Sequence, residues 1–179
     1  MRVIAGEFRR RTLKSVPGLE VRPTPDRMRE SLFSILAPSI EGTVFIDAYA
    51  GSGTVGIEAL SRGAKHVILI ERSPAALAVI RENLASLGIA NRVTVLRGKA
   101  AALLPEHAAD IVFIDPPYEQ VNEYRDSLLA LSAIRCPLVI VQHASRFKAE
   151  ETYGELARGR VLKQGDNSLS FYEPALPGE

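Results

Sequence analysis

Five short apolar runs constrain this chain more than anything else in it: Val44-Phe45-Ile46, Val67-Ile68-Leu69-Ile70, Val93-Thr94-Val95-Leu96, Ile111-Val112-Phe113-Ile114 and Leu138-Val139-Ile140-Val141. Runs this short and continuous read as strands buried on both faces, and helices between them make the connections of a mostly parallel α/β sheet. Helices are expected over residues 54–61, stopped by Gly63, from 74 to about 87, closed by Gly88, and around 122–131. Pro74 suits a first helical turn, where its missing N–H costs little. The tail changes character. Residues 160–163 and 168–172 are short strand candidates joined by Gly165-Asp166-Asn167, a hairpin-like turn that adds an antiparallel edge.

The 179 residues fit one domain with a sizeable core and a small appendage. No stretch approaches the ~20 apolar residues of a membrane span, and the first residues have no long apolar region of the signal-peptide kind. Cys136 is the sole cysteine, which rules out an internal disulfide and a cysteine-rich zinc site. A cytoplasmic protein is expected. Residues 1–30 hold eight Arg or Lys against four acids, while the rest holds 14 against 17. One basic end on a slightly acidic body suggests local contact with a polyanion, although a solvated face is the plainer alternative. Residues 2–13 suggest a two-strand unit turning near Gly6. Pro17-Gly18, Pro23 and Pro25 break regular structure, and Thr24 or Asp26 is placed to cap a helix. Met28, Leu32, Phe33, Ile35 and Leu36 form that helix's apolar stripe, ending before Pro38.

Parallel α/β sheets bind ligands beyond the carboxyl ends of their strands, where strand order reverses. The loop after the first strand, Asp47-Ala48-Tyr49-Ala50-Gly51-Ser52-Gly53, lies there, and Gly51, Gly53 and Gly56 have G-x-G-x-x-G spacing. A dinucleotide site would use the same glycines, and packing alone would also explain them. No G-K-[ST] ending follows, which argues against a P-loop ATPase. Glu71, ending the second strand beside Arg72, is placed to accept both ribose hydroxyls of an adenosine. Asp47 is read as orienting the loop and holding a methionine amino group, with a backbone cap as the alternative. After the third strand comes Gly98-Lys99-Ala100, where an acceptor for the adenine amine is expected and lysine cannot accept.

The fourth strand ends in Asp115-Pro116-Pro117-Tyr118. An aromatic amine is a poor nucleophile because its lone pair is delocalised into the ring. An Asp115 carboxylate and a Pro116 carbonyl accepting from that NH₂ would draw the nitrogen toward sp³ geometry, and the prolines would preorganise both acceptors. Tyr118 would stack on the base and hold it in line. Together with the glycine loop, this corner suggests an S-adenosylmethionine-dependent amino-group methyltransferase. Phe33 and the backbone at Pro23-Thr24 are lid candidates, with core packing the simpler role for Phe33. Arg9, Arg10, Arg11 and Lys14 form the densest basic cluster, and Arg22, Arg27 and Arg29 extend it toward the cleft. In a strand pair Arg9 and Arg11 would share a face and Arg10 would point away. Such contacts hold phosphates without selecting a base, so the expected target is an accessible nucleotide of structured RNA.

These residues in this order resemble the bacterial 16S ribosomal RNA guanine-N2 methyltransferase family, the RsmD type, over nearly the whole length. The likeness runs through Arg2-Val3-Ile4-Ala5-Gly6 and the basic run to Arg11. It continues in Arg22-Pro23-Thr24, Asp26-Arg27, Arg29-Glu30 and Leu32-Phe33, then in the segment from Asp47 to Arg62 with Glu58, in Glu71, and in Asp115 to Tyr118. The resemblance implies a Rossmann-like class I methyltransferase fold, a seven-stranded mostly parallel sheet with an antiparallel last strand. Residues 1–40 would be an RNA-contacting extension with a short hairpin, 41–174 the methyltransferase domain, and 175–179 a loose tail. It further implies S-adenosylmethionine as donor and the N2 amine of guanine 966 in 16S rRNA as acceptor, on a partly assembled small subunit. No stable protein partner is inferred, and a monomer is expected. Two positions depart from the family pattern: Lys99 stands where Asp or Asn is usual, and Gln142-His143 stands where an acidic residue is common; His143 reads more simply as a surface residue than as one facing the cleft.

Two other readings fit the same residues. The corner suits adenine N6 or cytosine N4 equally, in DNA or RNA, although the chain has no separate sequence-reading domain. A non-catalytic RNA-binding or assembly protein could also keep the cofactor fold, against which Asp47, Glu71 and Asp115 argue.

Overall fold

The computed structural model describes residues 1–17 and 26–175. Gly18, Arg22, Pro23, Thr24 and Pro25 lie outside the described residues, as do the last four residues of the tail. The parallel strands are β1 (Val44–Asp47), β2 (His66–Glu71), β3 (Val93–Arg97), β4 (Ile111–Ile114) and β5 (Leu138–Ala144). The tail adds β6 (Thr152–Tyr153), β7 (Leu156–Gln164) and β8 (Asn167–Pro174). The helices are α1 (Asp26–Leu36), α2 (Thr54–Ser61), α3 (Pro74–Leu87), α4 (Ala100–Leu103) and α5 (Val121–Ala133). No helix among the described residues is long and apolar enough to cross a membrane.

The sheet runs β3-β2-β1-β4-β5-β8-β7-β6. Among the described residues it has eight strands, not seven, and the last three pair antiparallel. The additional edge is a two-residue strand, too short to carry the apolar run that marks a strand in sequence. The hairpin loop is Gly165-Asp166 alone, because Gln164 and Asn167 already pair. Side-chain alternation splits the core as a doubly covered sheet requires. Phe45, Val67, Leu69, Phe113 and Ile140 pack with α1, α2 and α3, whereas Ile46, Ile68, Ile70, Ile114 and Val141 pack with α4 and α5. Phe33 is fully buried 6.3 Å from the Phe45 ring, so it is core and not a lid.

The amino-terminal segment is not a strand pair. A single antiparallel bridge joins Arg2 to Thr12, with turns between. Its backbone is held instead by α2: Glu58 accepts the N–H groups of Ile4 at 2.8 Å and Ala5 at 3.0 Å, and the Ser61 hydroxyl accepts from Phe8 at 2.9 Å. Gly6 has φ +83°, and a Cβ there would lie 1.8 Å from the Ser61 carbonyl oxygen, so the crossing over α2 demands glycine.

Candidate active site

Strand order reverses between β1 and β4, and the two ends adjoin: the Ala48 N–H donates to the Phe113 carbonyl at 2.9 Å. Above them the loops after β1, β2, β3 and β4 enclose a cavity of about 860 Å³, within the range of small-molecule sites. Asp47, Tyr49, Ala50, Gly51, Ser52, Glu71, Arg72, Lys99 and Ala100 line it, and so do Asp115, Pro116, Pro117 and Tyr118. Residues 68 positions apart in sequence, Asp47 and Asp115, thus share one chamber because their strands are neighbours.

Gly53 and Gly56 do not reach the wall. Gly53 precedes α2, and a Cβ on Gly56 would meet Leu69 Cδ2 at 2.4 Å, so this glycine serves helix-on-strand packing. Asp47 is 2% exposed and its Oδ2 accepts the Gly56 N–H at 3.1 Å. Burial pushes its carboxyl up to about 7, opposed by the Gly56 donor, reinforced by Glu71 and opposed again by the Tyr49 N–H. The Tyr49 hydroxyl lies 2.8 Å from Glu123 Oε2 and 2.8 Å from Ser127 Oγ, tying the glycine loop to α5. Burial raises its pKa as well.

Glu71 is fully oriented by backbone. Its Oε2 accepts the Gly51 N–H at 2.8 Å, and its Oε1 accepts those of Arg72 and Ser73, each at 2.8 Å. Carboxylate oxygens carry more than one lone pair, so ribose hydroxyls can still donate to it. Arg72 spends its guanidinium on Gln120 Oε1 at 2.8 Å and on Glu123 at 3.6 Å. Lys99 is exposed on the cavity wall at the start of α4, while Ala100 is buried.

At the end of β4, Asp115 is half-buried and Pro116 buried, and Tyr118 reaches Asn167 Oδ1 at 2.5 Å. Asn167, first residue of β8, reads in sequence only as a turn. Gln142 also lines the cavity, with its Oε1 buried and without a partner among the described residues. Its neighbour His143 is neither at the surface nor in the cleft. It is 4% exposed, edge-on to the Phe147 ring, with Nε2 2.8 Å from Ser170 Oγ and Nδ1 2.9 Å from the Ala144 carbonyl. The strand alternation that turns Gln142 toward α1 turns His143 to the other face, and desolvation lowers its pKa.

Of the basic residues, Arg9, Arg10, Arg11, Lys14 and Arg27 are exposed. The strand alternation expected of Arg9 to Arg11 does not apply, since they sit in a turn where Arg10 has φ +70°. Arg11 donates to the Ser86 carbonyl at 2.8 Å, and Lys14 pairs with Glu82 at 2.6 Å. Arg29 is a clear correction: it is fully buried and faces the cavity, so it belongs to no RNA-contacting surface. With Leu32, Phe33 and Leu36 it has i, i+3, i+4, i+7 spacing, a signal for the buried face that its charge obscured.

The chamber has what a nucleoside bearing an α-amino acid requires. It offers a backbone-oriented acid for ribose, a buried acid at Asp47, and buried polar atoms on Arg29 and Gln142 that lack partners among the described residues. These residues fit S-adenosylmethionine.

Comparison with known proteins agrees. The family model described as Conserved hypothetical protein 95 matches residues 1–173. A Bacillus subtilis protein provisionally named an rRNA methyltransferase, YlbH, is 33% identical over 97% of this chain and 98% of its own length. Ribosomal RNA small subunit methyltransferase D of Escherichia coli is 40% identical over 67% of this chain and 61% of its own. A solved Escherichia coli structure provisionally described as a methyltransferase, yhhF, superposes with TM-score 0.82 at 32% identity, covering 99% of both chains.

Proposed function

Because the chain belongs to the family of ribosomal RNA small subunit methyltransferase D and takes S-adenosylmethionine as its methyl donor, we propose that it methylates the N2 amine of a guanine in 16S rRNA, guanine 966. The target is a small subunit already partly assembled, and the protein works as a cytoplasmic monomer. The observation that carries this reading is the single chamber holding both the Asp47–Glu71 wall and the Asp115–Tyr118 corner.

When bound, S-adenosylmethionine would supply an electrophilic sulfonium methyl: the amine's lone pair would form the carbon–nitrogen bond and the carbon–sulfur bonding pair would stay on sulfur. Glu71 would hold the ribose and Asp47 the amino group. Asp115 and the Pro116 carbonyl accept the two N–H bonds of the incoming amine, which localises its lone pair. The proton would pass from the methylated, cationic and therefore acidic nitrogen to solvent after transfer, so Asp115 need not act as a strong base. Tyr118 supplies a stacking face, worth about 1–3 kcal/mol per base. The buried Gln142 amide adds a polar group on the same wall for the base edge. Arg9, Arg10, Arg11, Lys14, Arg22 and Arg27 position the RNA through phosphates.

The test is mass mapping of 16S rRNA from cells with and without this protein, alongside labelled-donor transfer to partly assembled subunits, naked rRNA and duplex DNA. N2-methylguanine that appears only with the protein is expected. Incorporation confined to DNA overturns the reading in favour of an adenine-N6 or cytosine-N4 enzyme.

A further inference from the structure

Arg29 heads the largest fully buried side chains among the described residues. Its Nη2 donates to the Arg2 carbonyl at 2.8 Å and to Asp26 Oδ1 at 3.0 Å. Its Nε and Nη1 are buried and have no partner among the described residues. A buried guanidinium with idle donors is costly, because unsatisfied charged groups forfeit hydration without replacement. The nearby acids do not answer that need. Asp26 is 61% exposed, which weakens the pair by solvent screening. Glu58 already accepts from Ile4, Ala5 and Arg62 Nε. Desolvation accordingly pulls the Arg29 pKa down, with Glu58 and Asp26 opposing and Arg62 reinforcing; an arginine so placed still carries its charge.

What Arg29 does border is the donor cavity, on whose wall Asp47 also lies. The chamber therefore presents one buried cation and one buried acid. The methionine end of the donor carries the complementary pair, a carboxylate and an ammonium. Of the other side-chain cations on the described wall, Arg72 is engaged by Gln120 and Glu123, and Lys99 is exposed beside α4. Among these, Arg29 alone combines burial with open donors.

We propose that Arg29 anchors the α-carboxylate of the donor's methionine moiety through its idle N–H groups, and so reads the amino-acid end of S-adenosylmethionine as a zwitterion together with Asp47. The burial of Arg29 then has a functional cause: the helix α1 face offers it to a ligand anion that restores the missing hydrogen bonds. The inference concerns the donor and holds whichever amine is methylated.

The experiment is isothermal titration of the full chain with S-adenosylmethionine and with its decarboxylated analogue, which keeps the adenosine, sulfonium and amine. The wild type should bind the intact donor at least tenfold more tightly. In Arg29→Met the ratio should collapse to within about threefold, chiefly through weaker binding of the intact donor, and Arg29→Lys should fall between. Equal wild-type affinities overturn the proposal without any variant, so a failure of Arg29→Met to fold leaves the test intact. A ratio preserved in Arg29→Lys and in any folded Arg29→Met also overturns it, since the carboxylate is then held elsewhere. Loss of rRNA affinity with an unchanged ratio overturns it in favour of an RNA phosphate contact. None of these readouts depends on methyl transfer, so failure of the guanine assignment is detected separately by the mapping experiment.

Discussion

The Tyr118 hydroxyl and Asn167 Oδ1 meet at 2.5 Å, which ties the aromatic ring of the corner after β4 to the first residue of β8. The ring's pose is thus set by the antiparallel hairpin as well as by the prolines before it. Tyr118→Ala should lower kcat/KM on partly assembled subunits by roughly 5- to 150-fold, the span implied by stacking energies of about 1–3 kcal/mol. Tyr118→Phe keeps the ring, and with Asn167→Ala it should lose only a few-fold. Steady-state kinetics check the order, and a phenylalanine variant as poor as alanine would show that stacking is not the ring's contribution.

Asp115 shares the chamber with Asp47 but follows the end of the neighbouring strand β4, so its removal should touch the reaction more than donor binding. Asp115→Ala should cut single-turnover methyl transfer by about 10²- to 10³-fold, the loss typical when one preorganised transition-state interaction is removed. Donor affinity by titration and rRNA affinity by filter binding should stay within about threefold. An unchanged rate would remove Asp115 from the chemistry.

Arg9 and Arg10 are exposed on the turn that crosses α2, whereas Arg11 already donates to the Ser86 carbonyl. Arg9→Ala and Arg10→Ala should each weaken rRNA binding and flatten the log–log salt slope by about 0.7–0.9 for every phosphate that is no longer neutralised. Arg11→Ala should additionally lower the melting temperature, because it also breaks an anchor to α3. Binding measured across a potassium chloride series checks this, and slopes identical to wild type would place the RNA elsewhere.

The parts of this fold legible in sequence are those where one physical signal acts alone. Val67 to Ile70 and Ile111 to Ile114 are buried on both faces, so hydropathy marks them as strands regardless of context. Pro74 and Gly88 begin and end α3 by local backbone chemistry. Arg29 shows the opposite case, since its helical position argues for burial and its charge for exposure, and only the cavity beside it decides. The amino-terminal segment defeats a local reading for a similar reason. Its conformation depends on Glu58 and Ser61, more than fifty residues away, and not on alternation within itself. Gln142 and His143 are adjacent, yet one faces the donor chamber and the other the Phe147 side, a distinction that rests on the register of β5.

Asp47 makes pH a probe of the donor site. Its carboxyl is raised from an ordinary 3.8 to about 7, so between those values the folded chain holds a proton that the unfolded chain has released. Stability from this group is therefore fully present below about 4 and is lost as pH climbs to 7, by up to ~4 kcal/mol from the size of the shift. Asp47→Asn should not show this loss, so its melting temperature relative to wild type should rise from pH 4 to 7 and level off above. Donor binding should run the other way. The ammonium of the methionine moiety requires the ionised carboxylate, so affinity should tighten as pH rises from 6 toward 7, by at most about tenfold per unit. It should flatten above 7, where the carboxylate is already charged and the donor's own amine, with a pKa of about 7.7–8.0, begins to lose its proton. Titration calorimetry of both proteins across this range is the check. A wild-type affinity that is flat with pH, or equally sloped in Asp47→Asn, would mean that the buried acid organises the Gly56 backbone without touching the donor.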